Sequence, residues 1–219
     1  MPVVRHPDGE IHFKLLGTGV PILFLLPQSV GPNGTKVLVN SLSKNFSVIL
    51  FDQLGTGRSV ANSDKYDPSI SDRMTEVNCL LDHLDIEASH LFCHSTGCGL
   101  GISWASSRPT RVKTLTLVNP WNYADEQLTT LQRLRIDAAK QLSPYFYTHF
   151  NSTILFPANY KAEYTEAFEA QAIAAKRFPH NALQIERRLN SILNFDARTF
   201  THKVTSPSLV ITSKDDILM

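Results

Sequence analysis

The sequence predicts an α/β protein in which a mostly parallel sheet is covered by helices on both faces. Short apolar runs at residues 21–26 and 46–51 have the length and composition of strands buried on both sides. A helical stretch separates these runs, and strand–helix–strand alternation of this kind indicates parallel pairing. Hydrophobic residues make up 42% of the 219 residues, which is enough to build a sizeable core.

The remaining elements of the first half follow from periodicity. Ile11, Phe13 and Leu15 alternate with polar residues, which predicts a half-buried strand. Residues 35–42 are expected to be helical. Apolar residues spaced by three and four predict an amphipathic helix over residues 69–84, with Asp67 as its N-cap and Pro68 at its first position.

Three later runs, at residues 90–93, 113–118 and 208–212, are further strand candidates. Residues 96–107, between the first two runs, read as a helix. From residue 122 to residue 197 helical patterns dominate, and we interpret this stretch as a helical cap inserted between two core segments, 1–121 and 198–219. The alternative is that these are ordinary helices covering the sheet.

Composition excludes several function classes. The 21 Lys and Arg residues against 20 Asp and Glu residues give a net charge of +1, which provides no electrostatic footprint for nucleic acid. The longest apolar run is far shorter than the ~20 residues that span a bilayer, so no membrane partner is expected. The three cysteines match no zinc spacing and fit a reduced cytoplasmic interior. We expect no metal and no cofactor.

The most informative segment is residues 90–99. A short apolar strand leads directly into Ser95, and a helix rich in small residues follows at once. This arrangement exposes a serine hydroxyl on a strained turn, with a helix N-terminus behind it. Small residues are required two positions to either side; Gly97 meets this requirement, and Cys93 meets it less well than glycine would. The segment resembles the nucleophile elbow, Gly-x-Ser-x-Gly, of the α/β-hydrolase family.

Three more segments resemble motifs of that family. Residues 52–59 resemble its Asp-x-x-Gly-x-Gly-x-Ser loop; the competing interpretation, a phosphate-binding loop, would need a third glycine or a Gly-Lys-Ser/Thr ending. Residues 25–31 end a strand where the family has its oxyanion-hole loop, although the usual His-Gly is absent. Residues 207–216 resemble the late strand and its acid loop, with Ser213 in place of a glycine. The resemblance therefore implies the α/β-hydrolase fold for essentially the whole chain.

The resemblance also implies roles for individual residues. Ser95 is expected to be the nucleophile and Asp216 the acid that orients a histidine, with Asp215 as the fallback. Backbone N–H groups of Thr96 and of Gln28 or Ser29 are expected to form the oxyanion hole. Trp121 and Arg187 are the candidates for the substrate pocket, although for the Arg187-Arg188 pair a solvated helix face is an alternative. His94, next to the nucleophile in sequence, points away from it on such a turn.

Within the family, the cap segments resemble the aminoacrylate hydrolases, with enol-lactonases as close relatives. The implied activity is hydrolysis of a small ester, amide or enol-type carbonyl substrate through an acyl-enzyme. The alternative is a non-catalytic protein of the same fold that binds a small ligand or partner under its cap. A small-molecule substrate is thus the expected partner, and a homodimer is left open.

The histidine of the expected triad is missing from the pattern. In the family it follows the acid, yet none of the eight histidines lies beyond Asp216. We therefore expect a truncated chain that lacks about 40 to 60 residues of an ordinary domain, including the last strand and a closing helix. Such a form is expected to be inactive, and its strand at residues 208–212 to be an exposed, aggregation-prone edge.

Overall fold

The computed structural model describes residues 2–27, 35–63, 66–214 and 216–218. The chain divides into two compact units. The core unit comprises Met1–Tyr123 and Phe195–Thr212, and the helical unit comprises Ala124–Asn194 and Ser213–Met219.

The core unit is built on a mixed, mostly parallel sheet. Its described strands are β1 (Val3–His6), β2 (Gly9–Leu16), β3 (Val20–Leu25), β4 (Phe46–Phe51), β5 (Val60–Ala61), β6 (Ser89–His94), β7 (Val112–Val118) and β8 (Ser208–Ile211). They pair in the order β1-β2-β4-β3-β6-β7-β8, and β5 pairs with β2. The pairs from β4 to β8 are parallel, whereas β2 is antiparallel to each of its neighbours. The predicted strands are therefore all present.

Alternating side chains of the central strands serve opposite faces of the sheet. Phe24 on β3 stacks on Phe92 of β6, with ring centroids 4.6 Å apart, and Phe24 belongs to a buried cluster that includes Val39 of helix α1 (Lys36–Leu42). The next residues, Leu25 and Cys93, are paired in register and must point to the other face. That face is covered by helix α3 (Thr96–Ser107), which packs on β3, β6 and β7. Both faces are therefore covered, as predicted.

Helix α2 (Met74–His83) begins later than predicted. The expected N-cap Asp67 is wrong, because α2 is preceded by a separate turn that the Ser69 and Asp72 side chains hold together. The Ser69 hydroxyl donates to Asp72 Oδ2 over 2.7 Å, and the Asp72 N–H donates back to Ser69 Oγ over 3.1 Å. These local bonds satisfy backbone groups outside the helix and so delay its start.

The last strand lies at the edge of the described sheet. β8 pairs with β7 through Leu115–Val118, and all four of its residues are exposed. Its exposure agrees with the expectation for residues 208–212, whereas aggregation through this edge remains a prediction.

The helical unit contains five helices in its described part: α4 (Glu126–Gln141), α5 (Pro144–Leu155), α6 (Ala158–Glu163), α7 (Thr165–Ala175) and α8 (Ala182–Leu193). Two of them carry side-chain N-caps, since Asp125 accepts from the Leu128 N–H and Asn181 from the Gln184 N–H. α4 packs against both α5 and α8, and α5 packs against α7. The interpretation of the helical unit as a cap remains a prediction. No helix in the described ranges is both long and apolar enough to cross a membrane.

One buried ion pair ties the loop after β4 to helix α2. The Glu76 side chain is fully buried, and its carboxylate accepts from Arg73 Nη1 over 2.8 Å and from the Leu54 N–H over 3.0 Å. The Tyr66 hydroxyl donates to the same carboxylate over 3.1 Å. Burial raises the pKa of Glu76, whereas Arg73 and these donors act in the opposite direction. The network therefore compensates a charge that would otherwise be costly to bury.

We expect the substitution Glu76→Gln to lower the free energy of unfolding by about 3–5 kcal/mol, because it removes the buried carboxylate charge that faces the Arg73 guanidinium over 2.8 Å. Urea denaturation followed by circular dichroism measures the change. Glu87→Gln, at an exposed position, is the matched control and is expected to be nearly neutral. A cost below about 1 kcal/mol for Glu76→Gln would contradict this account.

Candidate active site

Ser95 occupies the turn between β6 and α3 in a conformation that is rare for a serine. Its backbone has φ of 51° and ψ of −120°, so it lies in the left-handed half of the φ range. Backbone bonds hold it there: the Ser95 N–H donates to the Val118 carbonyl over 2.9 Å, and the Cys98 N–H donates to the Ser95 carbonyl over 2.8 Å. A strained residue of this kind costs on the order of 1–3 kcal/mol and persists only because its surroundings impose it.

Close packing of helix on sheet imposes this conformation. A Cβ at Gly97 would overlap the carbonyl oxygen of Leu25, the last residue of β3. One turn further along α3, a Cβ at Gly101 would overlap the Cys93 sulfur. Cys93 therefore takes the place of the family's first glycine because Gly101 leaves room for its side chain.

The start of α3 presents N–H groups beside the serine. Because the helix begins at Thr96, the N–H of Thr96 is among the first four of the helix, which have no intrahelical acceptor. The Thr96 hydroxyl oxygen is buried and has no hydrogen-bond partner among the described residues. The other predicted oxyanion donors, Gln28 and Ser29, lie outside the described residues.

Within the described part of the chain, no imidazole nitrogen is hydrogen-bonded to Ser95 Oγ. His90 Nδ1 bonds Thr114 Oγ1 over 2.8 Å, and in the helical unit His180 Nε2 bonds the Ala139 carbonyl over 2.8 Å. His6 bonds Thr75 and His149 faces Glu169. Sequence reasoning, which found no base among these histidines, is thus consistent with their contacts.

Asp216, the predicted acid, lies in the helical unit, in the short segment after β8. Its Oδ1 accepts from the Leu218 N–H over 2.9 Å, and its own N–H donates to the Ser213 carbonyl over 3.5 Å. The fallback residue, Asp215, lies outside the described residues. The catalytic role of Asp216 remains a prediction.

Trp121 lies close to the first turn of α3. Its side chain is 6% exposed and packs edge-to-face on Phe195, with ring centroids 4.8 Å apart. A Cβ at Gly99 would contact Trp121, Phe195 and Ile70 at 3.3 Å each. The indole N–H is buried and has no acceptor among the described residues. The sequence analysis nominated Trp121 but missed Phe195 and Ile70. The signal in the sequence was Gly99, because a glycine on this helix leaves room for large neighbouring side chains.

The cysteines near Ser95 are packing residues. Cys93 is fully buried, and burial raises its thiol pKa well above the ordinary value. Burial also raises the pKa of Cys98 to about 12. Both thiols are therefore protonated at neutral pH and unsuited to nucleophilic attack.

The loop that resembles the family's Asp-x-x-Gly-x-Gly-x-Ser motif has a structural role. The Asp52 carboxylate accepts from the Arg58 N–H over 3.0 Å. The Ser59 hydroxyl donates to the Asp52 carbonyl over 2.6 Å and accepts from the His12 N–H over 2.8 Å. The loop is thus closed on itself and hydrogen-bonded to β2.

The last predicted pocket residue, Arg187, lies half-buried on α8 in the helical unit. Its assignment to a substrate pocket remains a prediction. Within the described ranges, no three His, Cys, Asp or Glu side chains are grouped so as to hold a metal ion.

Comparison with known proteins identifies the family. The family model for the alpha/beta hydrolase fold matches residues 26–219. A protein of Azorhizobium caulinodans named "putative carbamate hydrolase RutD" is 30% identical over 222 residues, covering 100% of this chain and 82% of that protein. The protein of the same name from Serratia proteamaculans is 27% identical, covering 95% of this chain and 79% of its own length.

Solved structures show the same fold. An alpha/beta hydrolase enzyme, MGS-M2, from a deep-sea metagenome library of the Medee basin superposes with a TM-score of 0.90 at 17% identity, covering 99% of this chain and 81% of its own. The enol-lactonase from Burkholderia xenovorans superposes with a TM-score of 0.83 at 19% identity, covering 97% and 81%. The relatives are hydrolases by name, and they support a hydrolase here. With its strand order, its elbow and a family match over residues 26–219, the chain belongs to the α/β-hydrolase fold family.

Proposed function

We propose that this protein is a serine hydrolase in which Ser95 attacks the carbonyl carbon of a small ester, amide or enol-type substrate. The observation that carries the proposal is the backbone of Ser95, held at φ of 51° between β6 and the N-terminus of α3. A strained serine at such a place has no structural benefit of its own, since glycine would adopt the conformation without steric strain.

The proposed reaction has two halves. Ser95 Oγ forms a bond to the carbonyl carbon while its proton passes to a base, and the tetrahedral intermediate then expels the protonated alcohol, amine or enol to leave an acyl-enzyme. Water repeats the addition and releases the acid. The N–H of Thr96, with that of Gln28 or Ser29, would hold the oxyanion, and each such donor typically contributes ~3 kcal/mol to transition-state stabilisation.

The other assignments belong to the same proposal. Asp216 would orient the histidine base, and Trp121 and Arg187 would contact the substrate. The helical unit would act as a cap, and the protein would work in the cytoplasm. Two relatives named for carbamate hydrolysis support a small carbonyl substrate.

Turnover of 4-nitrophenyl acetate with and without added imidazole tests both the nucleophile and the supply of a base. Because no described histidine bonds Ser95 Oγ, we expect little turnover by the 219-residue chain alone. Added imidazole is expected to increase the rate for the wild type above that for Ser95→Ala, since an external base can take the hydroxyl proton.

Ser95-dependent turnover without imidazole would still support the serine hydrolase and would overturn the expected inactivity. Equal rates for wild type and Ser95→Ala under both conditions, together with no labelling by a fluorophosphonate, would overturn the proposed nucleophile. That result would favour a non-catalytic ligand-binding protein of this fold.

Alanine variants at the three neighbouring nucleophile candidates separate serine from thiol chemistry. With imidazole added as the external base, we expect a fluorophosphonate to label the wild type, Cys93→Ala and Cys98→Ala alike, because the high pKa of each buried thiol keeps it protonated and unreactive. Ser95→Ala is expected to lose labelling completely. Loss of labelling in a folded Cys93→Ala or Cys98→Ala variant would point to the thiol instead.

Backbone strain at Ser95 makes a separate prediction about stability. Ser95→Gly is expected to be at least as stable as Ser95→Ala, because relief of ~1–3 kcal/mol of strain exceeds the extra chain entropy of glycine, about 0.5–1 kcal/mol. Thermal or urea unfolding of the two variants gives the difference. If Ser95→Gly were less stable than Ser95→Ala by more than about 1 kcal/mol, the serine would not be strained.

A further inference from the structure

The buried face of α4 contains polar residues at positions where a packed helix needs apolar ones. Leu128, Gln132, Arg135 and Ala139 follow one another at spacings of four, three and four, and all four are buried. Gln132 is 0% exposed and Arg135 is 5% exposed. A glutamine and an arginine in the middle of a buried stripe require a specific polar partner, since an uncompensated charge there is strongly unfavourable.

Helices α5 and α8 add further polar groups to this interface. Arg135 Nε donates to Asn151 Oδ1 on α5 over 3.1 Å, and Arg135 Nη1 donates to Gln132 Oε1 over 2.9 Å. Arg188, on α8, is half-buried among the apolar residues Ile185, Leu189 and Ile192. Both hydrogen-bond partners of Arg135 are neutral amides, and neither balances its charge.

Two guanidinium groups therefore share this interface without a counter-charge. Among the described residues, no carboxylate pairs with Arg135 or Arg188. Burial and, to a smaller extent, the positive charge of Arg188 lower the pKa of Arg135 to about 10. Burial likewise lowers the pKa of Arg188. This is the opposite of the Glu76–Arg73 pair, in which the buried cation has its anion.

Two buried hydrogen-bond donors at the same interface also have no acceptor. The Tyr147 hydroxyl, on α5, and the Gln132 Nε2 amide have no hydrogen-bond partner within the described part of the chain. Tyr147 is 6% exposed, and burial raises its pKa, so its hydroxyl keeps its proton at neutral pH. Both guanidinium groups influence the pKa of Tyr147, which places the three groups within electrostatic range of one another.

The imidazole ring beside Tyr147 does not change this balance of charge. His180 lies with its centroid 4.2 Å from that of Tyr147, and its Nε2 donates to the Ala139 carbonyl. An imidazole ring carries no negative charge in either of its protonation states. Among the residues that the structure describes, the interface therefore holds two cations and unused donors with no anion.

We propose that Arg135, Arg188, Tyr147 and Gln132 form a binding site for the carboxylate group of a small organic acid. A carboxylate offers about four lone-pair sites. The Arg188 fork can fill two of them, and the Tyr147 hydroxyl and the Gln132 amide one each, while Arg135 contributes its charge. A water molecule would satisfy the donors but would leave both charges uncompensated. The site lies within the helical unit and does not rest on the proposed hydrolase activity.

Binding of sodium propionate to the full chain, followed by calorimetry and by thermal unfolding at constant ionic strength with sodium chloride as reference, tests the site. We expect propionate to bind and to raise the unfolding temperature of the wild type. Arg188→Gln is expected to weaken binding at least tenfold. Arg133→Gln removes the same charge at an exposed position of α4 and is expected to change binding less than twofold.

Stability without ligand separates a binding residue from a structural one. Arg188→Gln should unfold at the same temperature as the wild type or higher when no carboxylate is present, because it removes one of two like charges that repel each other. Tyr147→Phe, which keeps the ring and removes only the donor, should weaken propionate binding several-fold, and it serves as the second test if Arg188→Gln does not fold.

Three results would overturn the proposal: no stabilisation by propionate beyond that of chloride, equal losses for Arg188→Gln and Arg133→Gln, or tighter binding of inorganic phosphate than of propionate. The rate of fluorophosphonate labelling of Ser95, measured with imidazole added as the external base, distinguishes the source of the carboxylate. Protection by propionate that is lost in Arg188→Gln assigns it to the substrate, and unchanged labelling with intact binding assigns it to a separate organic acid; either result supports the site.

Discussion

The contact between the first turn of α3 and the end of β3 is the constraint on which the candidate site depends. Gly97 approaches the Leu25 carbonyl so closely that no side chain fits between them. With helix and strand fixed at this distance, the chain between β6 and α3 has only one residue in which to reverse direction. Ser95 is that residue, and its positive φ is the consequence.

The same contact explains how a cysteine is accommodated at the position where the family has glycine. The Cys93 sulfur fills the space that the absent side chain of Gly101 leaves on α3. The close approach of strand and helix therefore depends on the combined size of Cys93 and Gly101, and the elbow is a consequence of packing between them. Gly99 likewise leaves room for Trp121 and Phe195 to pack against the same helix.

The two units of the chain treat buried charge in opposite ways. In the core unit, Glu76 is fully buried together with Arg73 and is satisfied by three donors, so the network is complete and serves the fold. In the helical unit, Arg135 is equally buried but is bonded to amides alone. A buried polar network that lacks some of its partners lowers the stability of a protein. The proposed carboxylate would complete this one.

The sequence by itself determined the strands, the α3 helix and the elbow, because each depends on residues close together in the chain. Apolar runs of strand length, small residues after a strand and the Ser95 turn all carry their cause locally. The predicted start of α2 was wrong by several residues, because the Ser69 and Asp72 side chains form hydrogen bonds with each other in a separate turn before the helix.

Only the tertiary structure decided which polar residues face each other. The Arg187-Arg188 pair was visible in the sequence. Only the packing of α8 on α4 distinguishes the two residues, because it places Arg188 within electrostatic range of Arg135. The spacing of Gln132 and Arg135 within the apolar stripe of α4 was the local signal for that cluster. Whether a buried cation is paired depends on residues far away in the chain, and no periodicity within one helix can supply that information.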